Sequence, residues 1–85
     1  MTAKRKVAVV AGVGPGNGAA LTRRFAAGGY AVAMLARSRS NLEPLEKEIQ
    51  GSHGFECDVA SPESVTGSFA RIKAELGPVD VLLYN

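Results

Sequence analysis

The sequence predicts an α/β fold in which a parallel sheet of four strands alternates with three helices. Four short apolar runs are separated by three segments in which apolar residues recur at helical spacing. The first run has no polar alternation, as expected of a parallel strand that is covered on both faces. Helix start and stop signals lie between the runs, which gives the order βαβαβαβ.

The first unit is a strand, a glycine-rich loop and a helix. Residues 7–11 form the β-branched run, and residues 12–18, which include four glycines, follow it directly. Helical spacing then extends from residue 19 to residue 27, and Gly28-Gly29 predicts the end of the helix.

The second unit begins with an apolar strand at residues 30–36. Ser40 precedes Glu43 by three residues, which predicts a capping box at the start of the second helix. Pro44 is then expected in the first turn, where a missing backbone N–H costs little.

The third unit starts with a turn at residues 51–54 and a short strand at residues 55–57. Ser61 and Pro62 predict the N-cap and the first residue of a third helix, which extends to residue 76. The predicted inward face of this helix consists of Val65, Phe69, Ile72 and Leu76.

Residues 79–84 form the fourth predicted strand. Right-handed crossovers between parallel strands predict the order 3-2-1-4, which is a Rossmann-like sheet. The first two helices then cover one face and the third covers the other. Because parallel sheets are usually covered on both faces, the sequence predicts half of a doubly wound domain. The fourth strand is an open edge, through which the chain is expected to self-associate.

The composition predicts one domain and excludes several classes of function. The chain has 85 residues, of which 46% are hydrophobic, and its net charge is +2. Basic residues form no long block, which argues against a nucleic-acid partner. The single cysteine, Cys57, excludes an internal disulfide and a cysteine metal cluster and indicates a reducing compartment. Since no apolar run is long enough for a membrane span or a signal peptide, we expect a cytoplasmic protein without a membrane or a metal.

The glycine loop is the strongest functional signal. It opens a helix directly after a buried strand, where free backbone N–H groups and the helix dipole favour a phosphate. The loop lacks the Lys-Ser/Thr of a nucleoside triphosphate-binding P-loop. Gly14-x-Gly16-x-x-Ala19 fits the general dinucleotide fingerprint, and Gly12-x-x-x-Gly16-x-Gly18 fits a longer and more specific spacing.

Two further segments point, with the glycine spacing, to one protein family. Cys57-Asp58-Val59 lies at the end of the third strand, and residues 80–85, Asp-Val-Leu-Leu-Tyr-Asn, lie on the fourth strand and just after it. With the glycine spacing, they make the chain resemble the N-terminal part of the short-chain dehydrogenase/reductase family over essentially all its residues. The resemblance implies that residues 1–85 are the N-terminal, NAD(P)-binding part of a single domain that is truncated after strand four.

The family resemblance also implies which residues contact a dinucleotide. Asp58 and Val59 would contact the adenine, and Asn85 matches the second Asn of the family's Asn-Asn-Ala-Gly motif. Tyr84 departs from the first Asn of that motif, which indicates an atypical subgroup, as does Pro15 within the loop. The loop residues that would hold the pyrophosphate and the adjacent ribose are Gly12, Gly14, Pro15, Gly16, Asn17 and Gly18.

The residues after the second strand indicate which nicotinamide cofactor is preferred. NAD enzymes place an acid there for the ribose 2′-OH, whereas NADP enzymes place an arginine near the 2′-phosphate. Here Ala36 is followed by Arg37-Ser38-Arg39. We therefore expect NADP(H), with Arg37 as the main ligand and Ser38 or Arg39 as helpers, and NAD(H) as the alternative. A solvated loop is the other interpretation of the two arginines, and a simple turn is the other interpretation of Asp58.

Members of this family transfer hydride with a serine and a Tyr-x-x-x-Lys pair that lie after strand four. These catalytic positions are not among residues 1–85. Tyr30 and Tyr84 have no lysine four residues later. We therefore expect the dinucleotide-binding half of an NADP(H)-dependent oxidoreductase, without catalytic residues of its own.

Three other classes of protein are alternatives to this prediction. A non-catalytic nucleotide-binding or interaction module is the main alternative. A response-regulator domain would need acids after strand one to hold Mg²⁺, where this chain has glycines. A methyltransferase-like domain usually has an acid after strand two, where this chain has Ala36 and Arg37. Both are therefore disfavoured.

Overall fold

A computed structural model describes residues 5–12 and 16–84 of the chain. Within them, four parallel strands form one sheet in the order β3-β2-β1-β4, with a helix between each strand and the next, as predicted. The elements in chain order are β1 Val7–Ala11, α1 Asn17–Ala27, β2 Ala31–Ala36, α2 Arg39–Glu48, β3 Ser52–Glu56, α3 Pro62–Glu75 and β4 Val79–Tyr84.

The sheet is covered by α1 and α2 on one face and by α3 on the other, as the strand order predicts. Every residue of the two central strands, β1 and β2, is buried, which explains why neither strand alternates apolar and polar residues. The core on the α1 and α2 face contains Val10, Val32, Met34, Ala36 and Leu42. The core on the α3 face contains Val7, Val9, Ala11, Ala33, Leu35, Phe55, Cys57 and Ile72, with Val65, Phe69 and Leu76 packed against it.

Helix α2 begins two positions earlier than the capping-box signal predicts, because its N-cap is Ser38 and not Ser40. The N-cap is Ser38, whose hydroxyl accepts a hydrogen bond from the backbone N–H of Ser40 at 3.2 Å. Ser38 follows β2 and has an extended backbone conformation, as N-cap residues usually do. Its hydroxyl therefore caps the helix before the chain reaches Ser40. Consequently Pro44 lies inside the helix and not in its first turn.

Strand β3 also differs from the prediction, because it spans Ser52–Glu56 and ends before Cys57. The turn is confined to residues before it, with Gly51 at a φ of 93°. Gly54 is a strand residue in this structure and pairs with Met34 of β2. Its small size serves the contact with α2, since an added Cβ would lie 2.8 Å from Cβ of Leu42.

Candidate functional site

The candidate site lies where the strands end at the carboxyl edge of the sheet. Ala11 of β1 pairs with Leu35 of β2 and with Tyr84 of β4, and Ala36 pairs with Glu56 of β3. All four strands therefore finish side by side, and the segments that follow them meet there. Ligands of open α/β sheets bind in this position.

A cavity of about 360 Å³ opens at this edge, between the ends of β1, β2 and β3. Its wall is mostly apolar, and two polar side chains, Arg37 and Asn41, stand beside it. The sequence analysis names Gly12, Arg37 and Val59 as site residues, and all three line this one cavity. The full lining is Gly12, Leu35, Ala36, Arg37, Asn41, Cys57 and Val59.

Asn41 is the polar lining residue that the sequence analysis does not single out. It lies in the first turn of α2, where its backbone N–H donates to the carbonyl of Ser38 at 3.1 Å. The signal that could have found it is its position in the helix, since the first turn after a strand faces the carboxyl edge of a parallel sheet. The capping box predicted at Ser40 already places Asn41 in the first turn, so this signal is present in the sequence.

A second cavity, of about 250 Å³, adjoins the first through Leu35 and Val59. It is bounded by α3 and the end of β4, and its polar lining is small. Val59, Leu82 and Tyr84 are exposed to 39%, 57% and 76% and are the exposed large hydrophobic residues of the described chain. All three line this cavity, so the exposed apolar surface forms one continuous patch.

The described part of the glycine loop leaves space at the start of α1. Gly12 and Gly16 have φ angles of 79° and 103°, which favour glycine. A Cβ on Gly16 would meet no atom of the described residues within 4 Å. Helix α1 has no side-chain cap and no acidic residue in its first turn, so its N–H groups and its positive dipole end suit an anion.

The remaining loop residues have mixed positions. Asn17 is the exposed first residue of α1, and Gly18 is buried and accepts a hydrogen bond from the Thr22 hydroxyl at 2.9 Å. Gly14, Pro15 and Asn85, which the sequence analysis also assigns to the site, lie outside the described residues.

The three residues after β2 have different surroundings. Arg37 is exposed, and no hydrogen bond or ion pair joins its side chain to the described part of the chain. Ser38 caps α2 and also shares a 2.6 Å hydrogen bond with the hydroxyl of Ser40. Arg39, the first residue of α2, donates hydrogen bonds to Glu46 on the same helix at 2.7 Å and to the Gly54 carbonyl of β3 at 3.2 Å.

Asp58 has a local partner in the turn that follows β3. One of its carboxylate oxygens accepts from the Ala60 N–H at 3.0 Å, and its own N–H donates to the Ser64 hydroxyl at 2.9 Å. The turn role that the sequence leaves open for Asp58 is therefore present. Asp58 is exposed, and the next residue, Val59, lines the cavity.

An ion pair between α1 and α2 lies away from these cavities. Arg23 donates to Glu48 at 2.7 Å, and this hydrogen bond lowers the pKa of the Glu48 carboxyl below its ordinary value. Residues 5–12 and 16–84 contain no cluster of three or more His, Cys, Asp or Glu that could hold a metal ion. In the same residues, no helix has the length and apolar character needed to cross a membrane.

Comparison with known proteins identifies relatives that match nearly the whole chain. The family model described as short chain dehydrogenase matches residues 6–85. Farnesol dehydrogenase of Aedes aegypti is 39% identical over 85 residues, which cover 94% of this chain and 35% of that enzyme. D-threitol dehydrogenase of Mycolicibacterium smegmatis is 35% identical over 82 residues, which cover 92% of this chain and 32% of that enzyme.

Solved structures give the same result. A short-chain dehydrogenase/reductase from Serratia marcescens superposes with a TM-score of 0.88 at 28% identity, over 96% of this chain and 36% of that one. A variant of the actinorhodin polyketide ketoreductase, solved with NADPH, superposes with a TM-score of 0.84 at 32% identity, over 95% and 33%. The chain thus spans about a third of the length of the relatives that it matches.

Proposed function

The chain belongs to the short chain dehydrogenase family, and from that membership we propose that it forms the dinucleotide-binding part of an NADP(H)-dependent oxidoreductase. One observation carries the preference for NADP(H). Arg37 is exposed without a partner in the described chain, directly after β2 and beside an apolar cavity that no acidic residue lines. An arginine in this place suits a 2′-phosphate, whereas the ribose 2′-OH of NAD(H) calls for an acid.

The surroundings of α1 and the cavity fit the rest of the cofactor. The start of α1 would receive the pyrophosphate, because within the described residues it has no side-chain cap, no acid in its first turn and no atom within 4 Å of a Cβ added at Gly16. The apolar cavity would receive the adenine, with Val59 in its lining and Asp58 next to Val59 in the chain. The further loop residues that we assign to the pyrophosphate and ribose are Gly12, Gly14, Pro15, Asn17 and Gly18, with Asn85 after β4.

Bound there, the nicotinamide would supply hydride transfer, and the residues of this chain would bind and orient the dinucleotide. Arg37 would hold the 2′-phosphate by charge-assisted hydrogen bonds, and the Ser38 hydroxyl stands next to it as the cap of α2. We assign no catalytic residue within residues 1–85. NAD(H) remains the alternative cofactor, since the pyrophosphate and adenine positions are common to both dinucleotides.

We further propose that residues 1–85 are the N-terminal part of one domain. The relatives are about three times as long, and the patch of Val59, Leu82 and Tyr84 is an apolar surface of the kind that further chain covers. The buried free Cys57 supports the cytoplasm as its location, since it has no disulfide partner.

A second candidate function is a non-catalytic nucleotide-binding or interaction module. The observation that favours it is the same apolar patch beside β4, which lies at an edge of the described sheet. In this case a second copy of the chain would cover the patch. A dimer that binds no dinucleotide would support this candidate over the first.

The test of the proposed function is the binding of NADPH and NADH to the purified chain by calorimetry. We expect Arg37→Ala to weaken NADPH binding by about tenfold or more, because a charge-assisted hydrogen bond to phosphate is lost, and to leave NADH unchanged. Arg24→Ala is the matched control, since Arg24 is an exposed arginine on α1, away from the cavity. Equal binding of both dinucleotides, unaffected by Arg37→Ala, would show that the 2′-phosphate assignment is wrong.

A further inference from the structure

Helix α2 and strand β3 are joined by a closed set of three hydrogen bonds, which we call the α2–β3 clamp. Arg39 donates from Nη2 to Glu46 Oε1 at 2.7 Å and from Nη1 to the Gly54 carbonyl at 3.2 Å. The other carboxylate oxygen of Glu46 accepts from the Gly54 N–H at 2.6 Å. Both backbone groups of Gly54 are thus satisfied by side chains of α2, in a strand at the edge of the described sheet.

The clamp also depends on the missing side chain at position 54. A Cβ there would lie 2.9 Å from Glu46 Oε2 and 2.8 Å from Cβ of Leu42. The glycine therefore allows the carboxylate to approach the strand backbone. The Arg39 and Glu46 side chains keep 41% and 28% of their surface exposed, so their pairing is only partly screened by water.

The clamp lies next to the turn that carries Arg37. This turn leaves β2 at Ala36, whose carbonyl accepts from the Cys57 N–H at 2.8 Å, just after β3. It enters α2 at Arg39, which is bound to Gly54 in β3. Both flanks of the two-residue turn are thus attached to β3 or its end, while the Arg37 side chain itself has no partner in the described chain.

We propose that Arg39 is a positioning residue and not a phosphate ligand. Together with Glu46 it holds the first turn of α2 against β3, and this fixes the place of Arg37 beside the cavity. The inference rests on the proposed function, because it assigns Arg37 to the 2′-phosphate. Its new content is that selectivity for NADP(H) depends on Glu46, an acid seven residues from Arg39 that never meets the cofactor.

The experiment compares Arg39→Ala and Glu46→Gln by their dissociation constants for NADPH and NADH. Glu46→Gln keeps the shape of the side chain but offers one acceptor oxygen where the clamp uses two. We expect each variant to weaken the binding of NADPH by about tenfold and the binding of NADH by less than about twofold. Glu48→Gln is the matched control, since Glu48 lies on the same helix and its exposed ion pair with Arg23 of α1 lies away from the cavity. We expect this variant to change neither dissociation constant.

Each other result overturns the inference in its own way. If Arg39 touches the phosphate directly, Arg39→Ala weakens the binding of NADPH, whereas Glu46→Gln leaves that binding unchanged or strengthens it. If the clamp only stabilises the fold, both variants weaken NADPH and NADH equally. Should Arg39→Ala fail to fold, Arg39→Lys, which keeps one charged donor for Glu46, gives the same comparison with a smaller loss.

Failure of the proposed function is recognised separately. If the unaltered chain does not prefer NADPH, or Arg37→Ala has no effect on it, the 2′-phosphate assignment fails, and the positioning role fails with it. Hydrogen exchange of the Gly54 amide needs no nucleotide and tests the clamp alone. We expect faster exchange in Glu46→Gln than in Glu48→Gln, and equal exchange in the two would show that the clamp does not form.

Discussion

The carboxylate of Asp80, in β4, accepts a hydrogen bond of 2.8 Å from the backbone N–H of Val7, the first residue of β1. The pairing register shifts at this point, because Val7 pairs with Val79 whereas Ala8 pairs with Val81. Asp80 is therefore the extra residue of a bulge, and its side chain provides the acceptor for the Val7 N–H. Since Val7 is buried, its N–H needs a hydrogen-bond partner within the protein, and Asp80 provides one.

Replacement of Asp80 tests this relationship. We expect Asp80→Ala to lower the free energy of unfolding by about 1–3 kcal/mol, because a buried donor loses a charged acceptor. Asp80→Asn keeps an acceptor oxygen and should cost less. The measurement is urea denaturation with the midpoint and slope compared, and equal losses in the two variants would contradict the hydrogen-bond explanation.

Gly54 offers a second test of stability, through close packing. An added Cβ would lie 2.8 Å from Cβ of Leu42, which is fully buried, so Gly54→Ala forces α2 away from β3. We expect a loss of about 1–3 kcal/mol in the free energy of unfolding. Gly67→Ala is the control, because a Cβ there meets nothing within 4 Å of the described chain and the position is helical.

The control has its own expected sign. Alanine is the better helix former, so Gly67→Ala should stabilise the chain by about 0.5–1 kcal/mol. If both glycine variants change stability in the same direction, steric contact at residue 54 is not the reason that glycine is needed there.

The Arg23–Glu48 pair predicts a pH dependence of stability. The hydrogen bond from Arg23 lowers the pKa of Glu48 below its ordinary value of 4.5. A carboxyl whose pKa is lower in the folded state stabilises the fold above the unfolded-state pKa, and this contribution is lost as pH falls through the folded-state pKa. Both side chains are about half exposed, so the effect is small and is weakened by salt.

We therefore expect the unaltered chain to be more stable than Glu48→Gln at neutral pH. The difference should persist down to about pH 4.5 and fade on further acidification. Thermal unfolding at low ionic strength, followed across this range, measures it. A difference that stays constant through the acid range would mean that ionisation of Glu48 does not stabilise the fold.

The sequence predicts the central architecture because its signals are local. Residues 7–11 are apolar without alternation, and Ser61-Pro62 caps α3 where expected. The start of α2 is less well determined, since Ser38 and Ser40 are both able to cap and only the path of the chain out of β2 favours Ser38.

The missed features depend on contacts between residues far apart in the chain. Residues 51–54 include two glycines and a serine, which are typical of a turn. The place of Gly54 in β3 instead follows from its packing against Leu42 and Glu46. The role of Arg39 likewise follows from Glu46 and Gly54, neither of which is near Arg37 in sequence. By contrast, Gly12, Arg37 and Val59 follow three neighbouring strands and line one cavity, because parallel strands end at the same edge of the sheet.

The apolar patch of Val59, Leu82 and Tyr84 predicts how the chain behaves at high concentration. Leu82 and Tyr84 are exposed to 57% and 76% beside an open cavity on β4, an edge strand of the described sheet. Burying these side chains against a second copy removes apolar surface from water. We expect concentration-dependent self-association in sedimentation velocity, and Leu82→Lys should shift the chain towards monomer.

A lysine placed elsewhere on the surface shows whether a loss of self-association comes from this patch or from the added charge alone. Ala27→Lys adds an equal charge at an exposed position of α1 and should leave association unchanged. Because Leu82 is mostly exposed, Leu82→Lys should also leave thermal stability nearly unchanged, so that a shift to monomer cannot be attributed to unfolding. A chain that stays monomeric at high concentration, or that associates equally well with Leu82→Lys, would mean that self-association does not use this surface.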